Sequence, residues 1–267
     1  MCHFHPIDNV WGDVELFTIK LIAAFAVLFA GVGGGAFAQR LSRAKSQVKF
    51  SGLANSLAGG VFLGAAFLHM LPDAIDNFNS FLPDSEYPVF ALVAAFGFLV
   101  VMLLDKVIGP AFAKGKNKGA IYPYILMLTL SVHSLITGMA LGLETHLVSA
   151  GAILFAILAH KSTAAMALSI SFAKGDAPPS RSRNLLWIFY TTTPIGILGG
   201  TWVGAYLQGP GEVHFEAIFD ALAAGTFLYI AVMDILAEEF KVNHNHGQKF
   251  LMATIGFGIM AVVAIWT

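Results

Sequence analysis

Two histidines lie in the middle of consecutive hydrophobic segments of this chain. His133 lies in LSVHSLITGMALGLE, and His160 lies in FAILAHKSTAAMALSISF, where Lys161 follows it directly. An ionisable side chain at membrane depth is costly, so it usually faces a bundle interior or a water-filled cavity and marks an ion or substrate pathway. Neutral imidazole is a ligand that suits Zn, Cu, Fe and Ni. The two segments are therefore predicted to hold a divalent cation between them.

Hydroxyl side chains accompany the first histidine. Residues three or four apart share a helix face, so Thr137 lines up with His133, and Ser134 stands beside them where it can turn toward a neighbouring helix. Both are predicted to be auxiliary metal ligands. Two histidines are too few for a structural zinc site, which normally has four protein ligands, but an incomplete shell suits an ion that has to leave. The alternative is that each histidine is a core residue bonded to a backbone carbonyl.

The composition predicts an all-α polytopic membrane protein. The 267 residues are 57% hydrophobic and 12% charged, and the apolar stretches approach the roughly 20 residues that a bilayer requires. The whole chain, 1–267, is expected to be a single transmembrane transporter domain. We predict eight transmembrane helices, at 14–38, 51–76, 88–110, 122–145, 148–172, 185–208, 215–237 and 248–267.

The basic residues gather on one side of the predicted membrane. Thirteen of the fifteen lie in the odd-numbered connections, and the positive-inside rule then places both termini on the non-cytoplasmic side. The protein is expected in the plasma membrane, and an organelle membrane is the alternative. The thirteen are Arg40, Arg43, Lys45, Lys49, Lys106, Lys114, Lys116, Lys118, Lys174, Arg181, Arg183, Lys241 and Lys249.

The second and seventh segments resemble each other. Starting at Gly60, GVFLGAAFLHMLPDA aligns with GTFLYIAVMDILAEE starting at Gly225, at a constant offset of 165 residues. The two segments run in opposite directions across the membrane, which is typical of the inverted repeats of secondary transporters. Chance similarity between two helices rich in Gly, Ala and Leu is the alternative. A repeat predicts a 3+2+3 arrangement in which segments four and five, with both histidines, form the inserted pair.

Five hydrophobic segments contain, in order, the motifs FLHMLPDA, HSLITGMALG, HKSTAAMALS, TTPIGILGG and AAGTFLYIAVMDILAEEF. Together these motifs resemble those of the ZIP (Zrt/Irt-like) family of divalent metal transporters. The resemblance implies eight spans with both ends outside and a metal site between the fourth and fifth. It also implies import of zinc or related cations toward the cytosol, with an elevator-like movement as the expected mechanism. Zinc is the leading expected substrate, with iron or manganese as less expected companions. The metal is cargo, so neither a resident cofactor nor an enzymatic activity is expected.

Lys161 departs from the family pattern. Many members carry an acidic motif on the fifth span whose glutamate can bridge two metals, whereas this chain has Lys161 and Ala164 at those positions. A second metal is therefore not expected, and one ion is transported. Two alternatives stay open for the charge of Lys161 at the metal site. A charged ammonium tunes the site by repelling further cations, or desolvation and the metal's charge leave the amine neutral.

Further polar residues mark an entrance and an exit. His69 and Asp73 share a helix face near the outer end of the second span and are predicted to relay ions inward. The predicted cytosolic exit comprises Asp234, Glu238, Glu239, His244 and His246.

A further alternative concerns Lys161. Instead of tuning the metal site, its side chain could pair with a carboxylate of another span, such as Asp220.

An intramembrane zinc hydrolase is the alternative function. His69, His133 and His160 would supply three ligands and leave a position for activated water. Such an enzyme would retain its zinc, whereas a carrier exchanges it. The expected partners are divalent metal ions and the lipid bilayer, with no nucleic acid, and a homodimer is left open.

Overall fold

A computed structural model describes residues 7–42, 47–83, 85–108, 110, 122–174, 178–204, 211–241 and 244–266. Within these ranges the regular structure is entirely helical, which confirms the all-α prediction. Of the basic residues above, Arg43, Lys45, Lys114, Lys116 and Lys118 lie outside the described residues. The eight helices are α1 (Ile7–Ser42), α2 (Gln47–Ala65, continued by Ala66–Met70 and Leu71–Phe81), α3 (Val89–Leu103, continued by Leu104–Ile108), α4 (Tyr122–Leu143), α5 (Leu147–Lys174), α6 (Pro179–Gly204), α7 (Gly211–Tyr229, continued by Ile230–Leu236 and Ala237–Lys241) and α8 (His246–Val263).

Seven of these helices are long and apolar enough to cross a membrane, so the protein is an integral multi-pass membrane protein. The exception is α6, which has 26 residues but includes Arg181, Arg183 and three consecutive threonines. It nevertheless runs alongside α4. A Cβ placed on Gly138 would lie 2.4 Å from the Thr193 carbonyl oxygen, and one on Gly142 would lie 2.3 Å from that of Ile197. Helix α6 therefore packs alongside the membrane-spanning helices.

The helices pack as two bundles of four. In the first, α1 lies along α5 and α6, and α4 lies along α6; we call this the histidine bundle because α4 and α5 carry His133 and His160. In the second bundle, α2 lies along α8 and α7, and α3 lies along α7. The bundles meet mainly where α5 lies along α2, with smaller contacts of α1 with α2, of α4 with α7 and of α5 with α8. The candidate metal ligands thus lie on one bundle and face the other.

The inverted repeat is visible as one helix contact made twice. A Cβ on Gly60 of α2 would lie 1.9 Å from the Ala253 carbonyl oxygen in α8, and one on Gly225 of α7 would lie 1.8 Å from that of Ala94 in α3. Position 60 is related to 225 by the offset of 165. Positions 94 and 97 are related to 253 and 256 by 159. The partner helices also carry glycines at these contacts. Gly256 of α8 faces Leu57 of α2, and Gly97 of α3 faces Leu222 of α7, and positions 57 and 222 are again related by 165. The pairs α2–α8 and α7–α3 are therefore equivalent.

The two halves also share an irregular turn. Residues Ala66–Met70 of α2 and Ile230–Leu236 of α7 form π-helical turns, and the offset of 165 carries the first onto 231–235, inside the second. Short π-helical turns inside α-helices are frequently found at functional sites. They contain His69 in α2 and Asp234 in α7, which the sequence alignment also pairs. The repeat therefore puts polar residues at equivalent depths of the second bundle.

Candidate metal site

His133 of α4 and His160 of α5 face each other inside the protein. Their ring centroids are 5.7 Å apart, and only 5% and 3% of their surfaces are exposed. Neither ring nitrogen of His133 has a hydrogen-bond partner among the described residues, so the core-histidine alternative does not apply to it. Buried polar groups are nearly always paired, and one without a partner calls for an explanation such as an ion. Two imidazoles at this separation can share one divalent cation.

The aromatic ring of Phe227 closes the site from the second bundle. Its centroid lies 4.5 Å from that of His133 and 6.2 Å from that of His160, and Phe62 of α2 packs behind it at 4.9 Å. Both phenylalanines are fully buried. The wall opposite the imidazoles is therefore apolar. Sequence analysis missed Phe227, because a phenylalanine in a hydrophobic helix carries no signal that distinguishes it from ordinary core.

Lys161 is buried beside the histidines and directed toward α6. Its ammonium donates hydrogen bonds to Ser134 Oγ at 3.1 Å, to the Phe189 carbonyl oxygen at 3.2 Å and to Thr193 Oγ1 at 2.9 Å. It also lies 3.8 Å above the centre of the Phe189 ring, a favourable cation–π distance. Asp220, the alternative partner, lies instead 3.5 Å from the Asn77 amide on α2. Lys161 is thus held by neutral oxygens and an aromatic face.

The predicted auxiliary ligands have protein partners of their own. Ser134 Oγ accepts the hydrogen bond from Lys161. Thr137 Oγ1 donates to the carbonyl oxygens of His133, at 3.1 Å, and Ser134, at 3.4 Å. A hydroxyl oxygen retains lone-pair capacity while it donates. Both residues therefore keep a way to bind metal, and Ser134 connects the lysine to the candidate site.

The two predicted entrance residues contact each other on α2. His69 Nδ1 lies 3.0 Å from Asp73 Oδ2, one helical turn away, as their spacing of four predicts. Asp220 of α7 also interacts electrostatically with His69. The imidazole of His69 is thus flanked by the carboxylates of Asp73 on α2 and Asp220 on α7.

Asp234 of α7 lies in a polar cluster that the sequence revealed only in part. The carboxyl group of Asp105, on the irregular end of α3, accepts a hydrogen bond from Tyr229 Oη at 2.9 Å and lies 2.6 Å from the Lys106 ammonium. Asp105, Lys106 and Glu238 all interact electrostatically with Asp234. Sequence analysis missed Asp105 and Tyr229, although the Asp-Lys pair at the end of a hydrophobic segment is a usable signal.

The other predicted exit residues have different surroundings. Glu238 forms an ion pair with Lys241, and the carboxylate of Glu239 contacts Asn55, Lys174 and Lys249. His244 and His246 are exposed, and the His246 ring lies 5.8 Å from that of Phe240. Within the described residues, no three His, Cys, Asp or Glu side chains are arranged to hold a metal ion. The five residues thus do not form one site in this conformation.

Comparison with known proteins identifies the family. The family model for the ZIP zinc transporter matches residues 17–123 and 113–264, which together cover most of the chain. The chain belongs to the ZIP family. It is 28% identical over 254 residues to zinc transporter ZIP1 of Takifugu rubripes, an alignment covering 79% of this chain and 84% of the relative. It is 29% identical over 246 residues to zinc transporter 11 of Arabidopsis thaliana (80% and 76%) and 23% identical over 314 residues to Fe(2+) transport protein 1 of the same plant (99% and 90%).

Membership decides between the two functions that the sequence left open. ZIP proteins are transporters and not enzymes, so the protein is a divalent metal transporter, and the intramembrane hydrolase is excluded. The transported substrates are divalent metal ions.

Proposed function

We propose that this ZIP transporter imports zinc toward the cytosol, one ion at a time, through a site formed by His133 and His160. The observation that carries the proposal is the pair of buried imidazoles, with ring centroids 5.7 Å apart and both His133 nitrogens without partners. Imidazole nitrogen is a good ligand for zinc and a poorer one for the hard cations Ca²⁺ and Mg²⁺. Ser134 and Thr137 supply auxiliary oxygens.

The two-bundle packing supports an elevator-like movement. The proposed ligands lie on the histidine bundle, whereas His69 and Asp73 at one end and Asp234 and Glu238 at the other belong to the second bundle. If the histidine bundle slides, the bound ion passes between these fixed polar residues without crossing the apolar wall of Phe227. Close helix contacts at glycine lie within each bundle, which lets each move as a unit.

The charge pattern supports the orientation that we propose for the chain. Thirteen basic residues lie on the side that we assign to the cytosol, so the end of α2 with Asp73 and Asp76 and the beginning of α7 with Glu212 and Glu216 lie outside. We therefore propose that His69 and Asp73 receive the ion and that Asp234 and Glu238 release it, with Asp105 beside them. Glu239, His244 and His246 complete the predicted exit region. The plasma membrane is the proposed location, with both termini outside.

The test is initial-rate zinc uptake in zinc-starved cells that express the protein, normalised to its surface abundance. We expect saturable uptake above that of vector-only cells, with weaker competition by Fe²⁺ or Mn²⁺ than by unlabelled Zn²⁺. Outward movement of preloaded zinc without uptake would contradict the direction. Equal competition by all three cations would contradict zinc as the principal substrate.

Lys161 is proposed to tune the site as a charged ammonium. Replacing it with methionine removes the charge but keeps an unbranched side chain of similar length, so we expect the KM for zinc to fall several-fold because repulsion of the bound ion is lost. Lys161→Arg, which preserves the charge, should keep a KM near or above that of the wild type. The measurement is zinc uptake as a function of concentration. An unchanged KM in Lys161→Met would mean that the amine carries no charge in the working protein.

A further inference from the structure

An ion pair joins the two bundles at the end where the basic residues gather. The ammonium of Lys174, the last residue of α5, donates to Glu239 Oε1 of α7 at 2.8 Å. We propose that this contact is a reversible tie that holds the transporter in the conformation described here, with Lys174 as a positioning residue for the transport cycle. The inference rests on the bundle movement proposed above.

Glu239 is neutralised within its own bundle. Its Oε1 also accepts a hydrogen bond from the Asn55 side-chain amide of α2 at 2.7 Å. The Lys249 ammonium of α8 lies 3.9 Å from Oε2 and donates to the Glu239 backbone carbonyl. Breaking a buried ion pair is strongly destabilising when it leaves a charge uncompensated. When Lys174 moves away, the Glu239 carboxylate still contacts the Lys249 ammonium and the Asn55 amide. Breaking the contact with Lys174 therefore leaves no uncompensated buried charge.

Lys174 itself is exposed. Its side chain is 57% exposed, whereas that of Glu239 is 7% exposed. When the contact breaks, the ammonium returns to water, and the desolvation penalty that makes buried ion pairs rigid does not arise. The arrangement is therefore asymmetric: one partner is fixed and permanently compensated, and the other is removable. Such a contact biases an equilibrium between two conformations without blocking the exchange.

Sliding of the bundles must break this contact. The flexible stem of Lys174 follows small displacements, but the hydrogen bond of 2.8 Å is lost once α5 moves beyond the reach of that side chain and the two atoms separate by more than about 3.5 Å. The tie is then present in one state of the cycle and absent in the other. This gives Glu239 a role different from that of the exit residues Asp234 and Glu238, with which the sequence grouped it.

The experiment measures how often the described conformation is occupied, at the opposite end of α5. Phe155 of α5 and Trp266, which follows α8, lie on different bundles with ring centroids 6.4 Å apart. In a Cys2→Ser background, Phe155→Cys and Trp266→Cys are cross-linked with a short membrane-permeant bismaleimide. We expect Lys174→Met to weaken the preference for the described conformation about two- to fivefold, which is the range that an exposed ion pair supplies, and to lower the cross-linking rate by up to that factor.

Two matched variants separate the tie from charge and folding effects. Lys241→Met removes the same charge from the same end, but Lys241 pairs with Glu238 three residues earlier in its own helix, so cross-linking should stay at the control rate. Lys174→Arg should restore the control rate because arginine also pairs with carboxylate. An equal rate in Lys174→Met and Lys241→Met would overturn the tie. Cross-linking does not require transport, so absent zinc uptake would instead overturn the proposed function.

Discussion

Replacing either His133 or His160 with alanine is expected to abolish zinc uptake. Each substitution removes one of the two nitrogen ligands that we propose, and the remaining hydroxyls are weak ligands already bonded to Lys161 and to backbone carbonyls. Loss of a residue that merely supports a ligand costs roughly 10- to 100-fold in metal affinity. Loss of a ligand itself should reduce initial-rate uptake at sub-saturating zinc at least as much.

The matched control is His146→Ala. This histidine is the last residue of the segment between the same two helices, but it is exposed and lies away from the paired rings. Its removal should leave uptake per surface-exposed molecule unchanged. Because His133 and His160 are buried, surface abundance and thermal stability are measured for each variant before rates are compared. Normal uptake in either buried-histidine variant at normal abundance would refute the site.

Gly34→Ala is expected to disrupt the packing of α1 against α5, whereas Gly33→Ala is not. A Cβ at position 34 would lie 2.1 Å from the Ser162 carbonyl oxygen, and the obstruction is backbone that cannot rotate away. A Cβ at position 33 meets no atom within 4 Å. Overpacking a well-packed core typically costs about 1–3 kcal/mol and sometimes more. A clash with main chain belongs at the upper end of this range.

The neighbouring glycine isolates the packing effect because both substitutions raise helix propensity equally, by about 1 kcal/mol. Detergent-solubilised protein is heated in steps, and the folded fraction is followed by size-exclusion chromatography with fluorescence detection. Gly34→Ala should lose folded protein at a markedly lower temperature, and Gly33→Ala should match or exceed the wild type. Equal melting of the two variants would contradict the close approach of α1 and α5.

The sequence by itself determined the class, the repeat and the location of the histidines. Hydrophobic segments of bilayer length determine an all-α membrane protein, because backbone polar groups in lipid must be bonded internally. The offset of 165 residues determined that α2 and α7 are equivalent, and the contacts Gly60–Ala253 and Gly225–Ala94 confirm it. His69 and Asp73 contact each other because spacing along one helix sets which residues share a face.

Only the tertiary structure decided the partners of side chains that meet between helices. It assigned Ser134 Oγ to Lys161, placed Phe227 against both imidazoles, brought Asp105 to Asp234 and joined Glu239 to Lys174. Glu238 and Glu239 are adjacent in sequence, yet one turns toward Lys241 of its own helix and the other toward α2, α5 and α8. The physical reason is that periodicity along a helix determines its faces, whereas the neighbour of each face depends on which helices pack together and at what rotation and depth.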